Sequence, residues 1–298
     1  GYWFWAVQAG GAHQDIGEGI ALDSSGNVFV TGTFQQSAQF GTNSLTTNNG
    51  NAYDPYVAKI SSNGAWQWVN RGTGSGGYAN TGTDIAVDST GYAYVTGYFS
   101  RNIGFDSTTL TWSGMYDIFV AKIDTLGNWQ WATMAGGTQG DDVPNAITIG
   151  PNGDVFLTGY FQFTSTFGSN SLTSQTGKDA FVAKVSAQGN WMWSESMGGG
   201  SNDIGNSIVV NPQGDVYVSG SFYSGISFGN FSYGAGGVSN SFIAKALDQG
   251  NSIDWEWARQ VSSSSSNAAF GMTLDSNQDL LITGQFRGTA SFGNTALT

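Results

Sequence analysis

Apolar and polar positions in this chain alternate in short runs that come back at a fixed interval. Residues 26–34, "GNVFVTGTF", return as "GYAYVTGYF" (91–99), "GDVFLTGYF" (153–161), "GDVYVSGSF" (214–222) and "QDLLITGQF" (278–286). Their shared glycine falls at Gly32, Gly97, Gly159, Gly220 and Gly284, so the unit recurs every ~63 residues. A short apolar run and a turn cluster precede each string: "IALDSSG", "IAVDSTG", "ITIGPNG", "IVVNPQG" and "MTLDSNQ". Turn residues between two β-rich runs signal a hairpin, with Gly or Asn supplying positive φ. A looser element ("AQFGTNSLT" and its counterparts) follows and reads as a structured connection. A third run comes next, "PYVAKI", "IFVAKI", "AFVAKV" and "SFIAKA", and then paired tryptophans at Trp66/Trp68, Trp129/Trp131, Trp191/Trp193 and Trp255/Trp257. Each unit therefore predicts four short strands with no helical pattern between them.

Four antiparallel strands per unit of this length are what a β-propeller blade looks like. The expectation is all-β: a single five-bladed propeller domain over 1–298, with blades near 19–69, 84–132, 145–194, 206–258 and 270–298 plus 1–6. Strands apolar on both faces suit blades sandwiched between neighbours. The chain opens on "GYWFWA", which resembles the end of a unit, while the last unit stops at "SFGNTALT" without a "VAK" run. The N-terminal segment is thus expected to supply the outer strand of the last blade, since closure removes exposed strand edges. One strand is still missing. Either a "D-x-F-V-A-K"-like strand follows Thr298 in the parent polypeptide, or another chain's strand fills the slot by β-augmentation.

Composition supports many tight turns: 45 Gly, 4 Pro and 14% aromatics. With 9 basic against 21 acidic residues and no Lys/Arg cluster, nucleic acid is excluded as an expected partner. No stretch approaches the ~18–20 apolar residues of a helical membrane span, so no membrane insertion is expected. The absence of cysteine removes disulfides, thiolate catalysis and Cys-based zinc sites. The Cys-free, acidic, Gly/Ser/Asn/Thr-rich make-up points to a bacterial secreted or cell-surface protein.

The strings "AVDSTGYAYVTGYF", "DIFVAKIDTLGNWQWATMAGG" and "GPNGDVFLTG" resemble the bacterial SBBP β-propeller repeat family over nearly the whole chain. The resemblance implies a propeller module of secreted or surface proteins and brings no catalytic motif. The departures are Ser263–Ser266 in place of "GG" and the longer turn in "LDQGNSIDWEW".

Candidate chemistry is sparse. His13 is the only histidine, so neither a transition-metal site nor a Ser-His-Asp triad is expected. The recurring Lys59, Lys122, Lys184 and Lys245 read as structural: stem packed, ammonium on a carboxylate or turn carbonyl. The paired tryptophans, at i and i+2 on one side of a strand, read as rim packing ahead of a sugar-stacking surface. One column, Asp15, Asn80, Asp142, Asp203 and Asn267, would ring a channel mouth if the first strands line it. Such side chains commonly accept loop amides; as a ligand site they would take sugar hydroxyls or Ca²⁺, with no other cofactor or metal expected. The functional expectation is non-enzymatic: a binding or scaffolding propeller that contacts protein or glycan. The alternative is a glycoside hydrolase using Asp15, Asp142 and Asp203.

Overall fold

The glycine of each repeated string is required by a bulge in the strand beside it. In the first repeat Asp15–Leu22 pairs antiparallel with Val28–Gln35, and the register shifts between Gly17 and Gly19. The same shift recurs beside Gly97, Gly159, Gly220 and Gly284. The bulge brings a carbonyl of the first strand under the glycine of the second. A Cβ would lie 1.9 Å from the Ile16 oxygen at Gly32, 1.9 Å from Thr81 at Gly97 and 2.2 Å from Ala268 at Gly284. No side chain fits there, so the most constant letter of the repeat reports close backbone approach.

The computed structural model describes the chain apart from residues 1, 49, 51, 77, 78 and 235. It is all-β, built of antiparallel sheets, and it falls into two units, Gly1–Met134 and Ala135–Thr298. In the first unit, strands Asp15–Leu22, Val28–Gln35, Tyr53–Ile60 and Trp66–Arg71 make one four-stranded sheet. Thr81–Val87, Ala93–Phe99, Asp117–Ile123 and Trp129–Gly136 follow in the same order, the last strand running just past the unit boundary. The second unit holds Val143–Ile149, Val155–Phe167, Asn170–Val185 and Trp191–Met197. After them come Asp203–Val210, Asp215–Phe222, Asn240–Asp248 and Ile253–Ser263. The chain's final pair, Ser266–Leu274 with Leu280–Arg287, stands as a two-stranded sheet.

Second and third strands are joined by side chains as well as by the ladder. An aromatic sits opposite each glycine: Tyr56 on Gly32, Phe119 on Gly97, Phe181 on Gly159 and Phe242 on Gly220. The hydroxyl one residue earlier donates to that aromatic's carbonyl, from Thr31 at 2.8 Å, Thr96 at 3.0 Å and Thr158 at 2.6 Å. These buried hydroxyls are thereby satisfied. The looser connection is a hairpin whose Phe packs on the same aromatic ring, with centroids 5.0 Å apart for Phe40–Tyr56, 5.2 Å for Phe105–Phe119 and 5.7 Å for Phe228–Phe242. Its first strand pairs with the "GG" segment after the preceding outer strand, as Ser37–Phe40 does with Ala9–Gly11. Gly11 allows that pairing, because a Cβ there would stand 1.9 Å from the Ser37 oxygen.

The tryptophan pair does not share one side. The outer strand bulges where it meets the third: Lys59 faces Trp68 while the adjacent Ile60 faces Trp66, and the fourth repeat repeats this at Lys245 and Ala246. The bulge separates the two rings. Trp66 packs edge-on against Phe40 of the hairpin at 5.4 Å and Trp68 against Phe29 of the second strand at 5.9 Å, in two different apolar clusters. All four pairs divide this way, with Trp129, Trp191 and Trp255 on hairpin phenylalanines and Trp131, Trp193 and Trp257 on second-strand aromatics.

The N-terminal segment does not form the expected strand. Tyr2–Gln8 carry no strand, and Tyr2, Trp3 and Phe4 are almost fully exposed. An outer strand needs a third strand to bond to, and the fifth repeat contains none within these residues. Trp5 nevertheless takes the place of a second tryptophan. Its Nε1 donates to the Ser62 carbonyl at 3.0 Å and its ring covers Gly64, as Trp68 donates to Thr125 at 3.0 Å and covers Gly127.

Candidate functional site

The polar column lies where each repeat's first strand begins. Asn80, Asp142 and Asp203 are wholly buried and Asn267 nearly so, while Asp15 is half-buried. Three of them accept from chain amides. Asp15 Oδ2 accepts from the Gly11 amide at 2.6 Å, and Asp142 Oδ2 from Gly137 at 2.9 Å. Asn80 Oδ1 accepts from the Ser100 amide at 3.1 Å, and the Ser241 hydroxyl donates to Asn267 Oδ1. Among the described residues no three His, Cys, Asp or Glu side chains gather as a metal-sized group. His13 is exposed in the turn ahead of Asp15.

A second column, which the sequence reading passed over, opens the third strand: Asp54, Asp117, Asp179 and Asn240, all buried. Within the first unit Asp54 meets Arg71 in an ion pair and accepts from the Gly74 amide at 3.0 Å, while Asn80 donates beside it to the Tyr53 carbonyl at 3.0 Å. Burial raises the Asp54 pKa, and Arg71 opposes it. In the second unit Asn267 donates to Asn240 Oδ1 at 3.2 Å, a neutral pair. The other second-unit junction brings together two acids, Asp179 and Asp203, with no cation in an ion pair with either among the described residues.

That pair is left poorly balanced. Neither oxygen of Asp203, nor Asp179 Oδ1, closes a hydrogen bond; the Gly199 and Tyr223 amides only approach Asp203. Burial first, and then the Asp179 charge, push the Asp203 carboxyl up to about 8. Burial takes Asp179 up to about 6 against the amide of Gln175. Both shifts favour the protonated form of these carboxyls over the charged one. The signal is legible only by reading the two columns together: Asp/Asn, Asp/Asp and Asn/Asn differ in charge, which neither column shows alone.

The lysine column resolves into one repeated contact. Each ammonium lies over the aromatic directly opposite, with Lys59 4.8 Å from the Phe29 centroid, Lys122 4.8 Å from Tyr94, Lys184 5.3 Å from Phe156 and Lys245 5.9 Å from Tyr217. Turn acids complete three of them: Asp23 at 3.5 Å from Lys59, Asp154 at 2.9 Å from Lys184 and Asp215 at 3.0 Å from Lys245. Lys59, Lys184 and Lys245 serve as struts between turn and sheet, while Lys122 lies over Tyr92 and Tyr94.

Residues 5–33 match the family model of the β-propeller repeat, SBBP. The chain carries a β-propeller repeat. The matched stretch runs from Trp5 through the first bulged pair to Thr33, the part whose geometry recurs around every repeat glycine. Across 96% of its length the chain is also 23% identical to an uncharacterized WD repeat-containing protein, L264, of Acanthamoeba polyphaga mimivirus. The match takes in 26% of that protein, so the chain spans about a quarter of this relative's length.

Proposed function

We propose that the chain is a non-enzymatic binding scaffold: a five-bladed repeat module that contacts a protein or glycan partner through its turns, at the cell surface or after secretion. One observation carries this reading. The lysines and the buried Asp and Asn side chains fall into columns shared by the repeats, and most are tied to backbone amides or to a neighbouring strand. Catalysis asks for groups of distinct pKa that reach a substrate. The WD-repeat description of the relative fits a scaffold, and the acidic, Cys-free composition fits the proposed location.

The second reading, a glycoside hydrolase, draws on Asp203, whose raised pKa suits a general acid. Its complete burial sets it away from any substrate. A glycan array run beside a reducing-sugar assay on soluble polysaccharides separates the two. The expected result is no sugar release by the wild-type protein. Release that disappears in D203N, with the fold intact, would replace the scaffold reading by the hydrolase.

A further inference from the structure

The fifth repeat reproduces the first half of the unit closely. Ser266–Leu274 and Leu280–Arg287 pair in the common register, with the shift between Ala269 and Gly271 and the first-strand carbonyl of Ala268 under Gly284. What differs is everything that elsewhere touches a third strand. Leu280–Arg287 has no partner on its other edge among the described residues. Thr283, at the position where Thr31, Thr96 and Thr158 donate across to the third strand, is exposed. Among the described residues no third-strand aromatic stands opposite Gly284, as Tyr56, Phe119, Phe181 and Phe242 stand opposite Gly32, Gly97, Gly159 and Gly220. Phe292 is the hairpin phenylalanine that would stack on that ring. It is 44% exposed, while Phe40, Phe105, Phe167 and Phe228 are buried. Gly284, Thr283, Ile282, Phe286 and Phe292 line one apolar cavity of about 440 Å³.

We infer that this cavity and the open edge of Leu280–Arg287 form a docking slot for an extended segment of the pattern aromatic–β-branched–Ala–Lys, the third strand of a further repeat of this kind. The segment runs antiparallel to Leu280–Arg287 with its aromatic opposite Gly284. Main-chain hydrogen bonds hold it, the ring fills the space between Gly284 and Phe292, and the carbonyl of the aromatic residue accepts from Thr283. The occupant comes from outside residues 1–298. Each of the four third strands within them is already paired on its own second strand. Asn267 of the first polar column also lines the cavity, but the inference rests on strand pairing and stands whether the module contacts protein or glycan through its turns.

The test is a labelled peptide with the sequence of Asp117–Thr125, DIFVAKIDT, titrated into the whole 298-residue chain by fluorescence anisotropy. Saturable binding is expected, weakened at least tenfold when the peptide phenylalanine becomes alanine and abolished by scrambling. Ile282→Asp in the protein should also remove binding; its far-ultraviolet circular dichroism shows whether the fold survives. Because the peptide variants leave the protein untouched, a misfolded Ile282→Asp does not decide the outcome. Absence of binding, equal binding of the alanine and parent peptides, or a dimer sealed through this edge that the peptide does not dissociate would overturn the inference.

Discussion

Replacing Asp203 by Asn should raise thermal stability at pH 8 and leave it almost unchanged near pH 4. Both carboxyls of the Asp179–Asp203 pair have folded-state pKa values above that of an unfolded Asp, about 8 and about 6. A raised pKa means that the folded chain holds a proton which the unfolded chain releases. Stability from the pair is therefore complete below the unfolded value and is lost as pH rises towards 8, at up to about 1.4 kcal/mol per pH unit for each proton. The substitution removes one acid and recreates the Asp/Asn composition of Asp54 and Asn80, which the fold already accommodates. The gain at pH 8 should be about 2 kcal/mol, or about 4–8 °C in Tm. Melting curves from pH 4 to 9 check it: the wild type should fall across that range and D203N should be flatter. Parallel curves would show that the Asp203 carboxyl is not raised in the folded chain.

Lys184→Met should be the most damaging change in the lysine column, and Lys122→Met the least. The Lys184 ammonium is buried between Asp154 at 2.9 Å and Asp248 at 2.7 Å. Burial alone would lower its pKa, but hydrogen bonds to the two carboxylates outweigh that and raise it. Methionine fills the stem and leaves two acids facing each other without a cation, a loss of about 3–5 kcal/mol. Lys122 lies over Tyr92 at 4.6 Å and Tyr94 at 4.8 Å, and burial lowers its pKa. It has no ion pair among the described residues, so methionine there forfeits about 0.5–1 kcal/mol of cation–π attraction. Urea denaturation of both variants gives the comparison. Equal losses would mean that the aromatic, rather than the acids, carries the column.

Much of this was readable from the letters because the repeat supplies its own control. The glycine of "VTGYF", the hairpin turns, the "VAK" strand and the strut role of Lys59, Lys184 and Lys245 each recur with one physical cause, so period and composition sufficed. What stayed hidden depends on register. A bulge opposite Lys59 and Ile60 sends Trp66 and Trp68 to different clusters, and no residue type announces it. The looser connection proved to be a hairpin paired with the "GG" segment, a link between residues far apart in the chain. The N-terminal tryptophans looked like an outer strand, and Trp5 behaves as one towards Ser62, yet strand formation needs a third strand to bond to. The Asp179–Asp203 pair escaped notice because each acid sits in a column where Asp is ordinary.

The central claim is one structural unit laid down repeatedly, its last copy standing half-built in these residues. Amide hydrogen exchange measured by mass spectrometry tests it most directly. Val28–Gln35, Ala93–Phe99, Val155–Phe167 and Asp215–Phe222 are second strands bonded on both sides and should be strongly protected. Leu280–Arg287, bonded on one side, should exchange faster by on the order of tenfold or more. Protection of Leu280–Arg287 equal to that of the other four strands would contradict the claim.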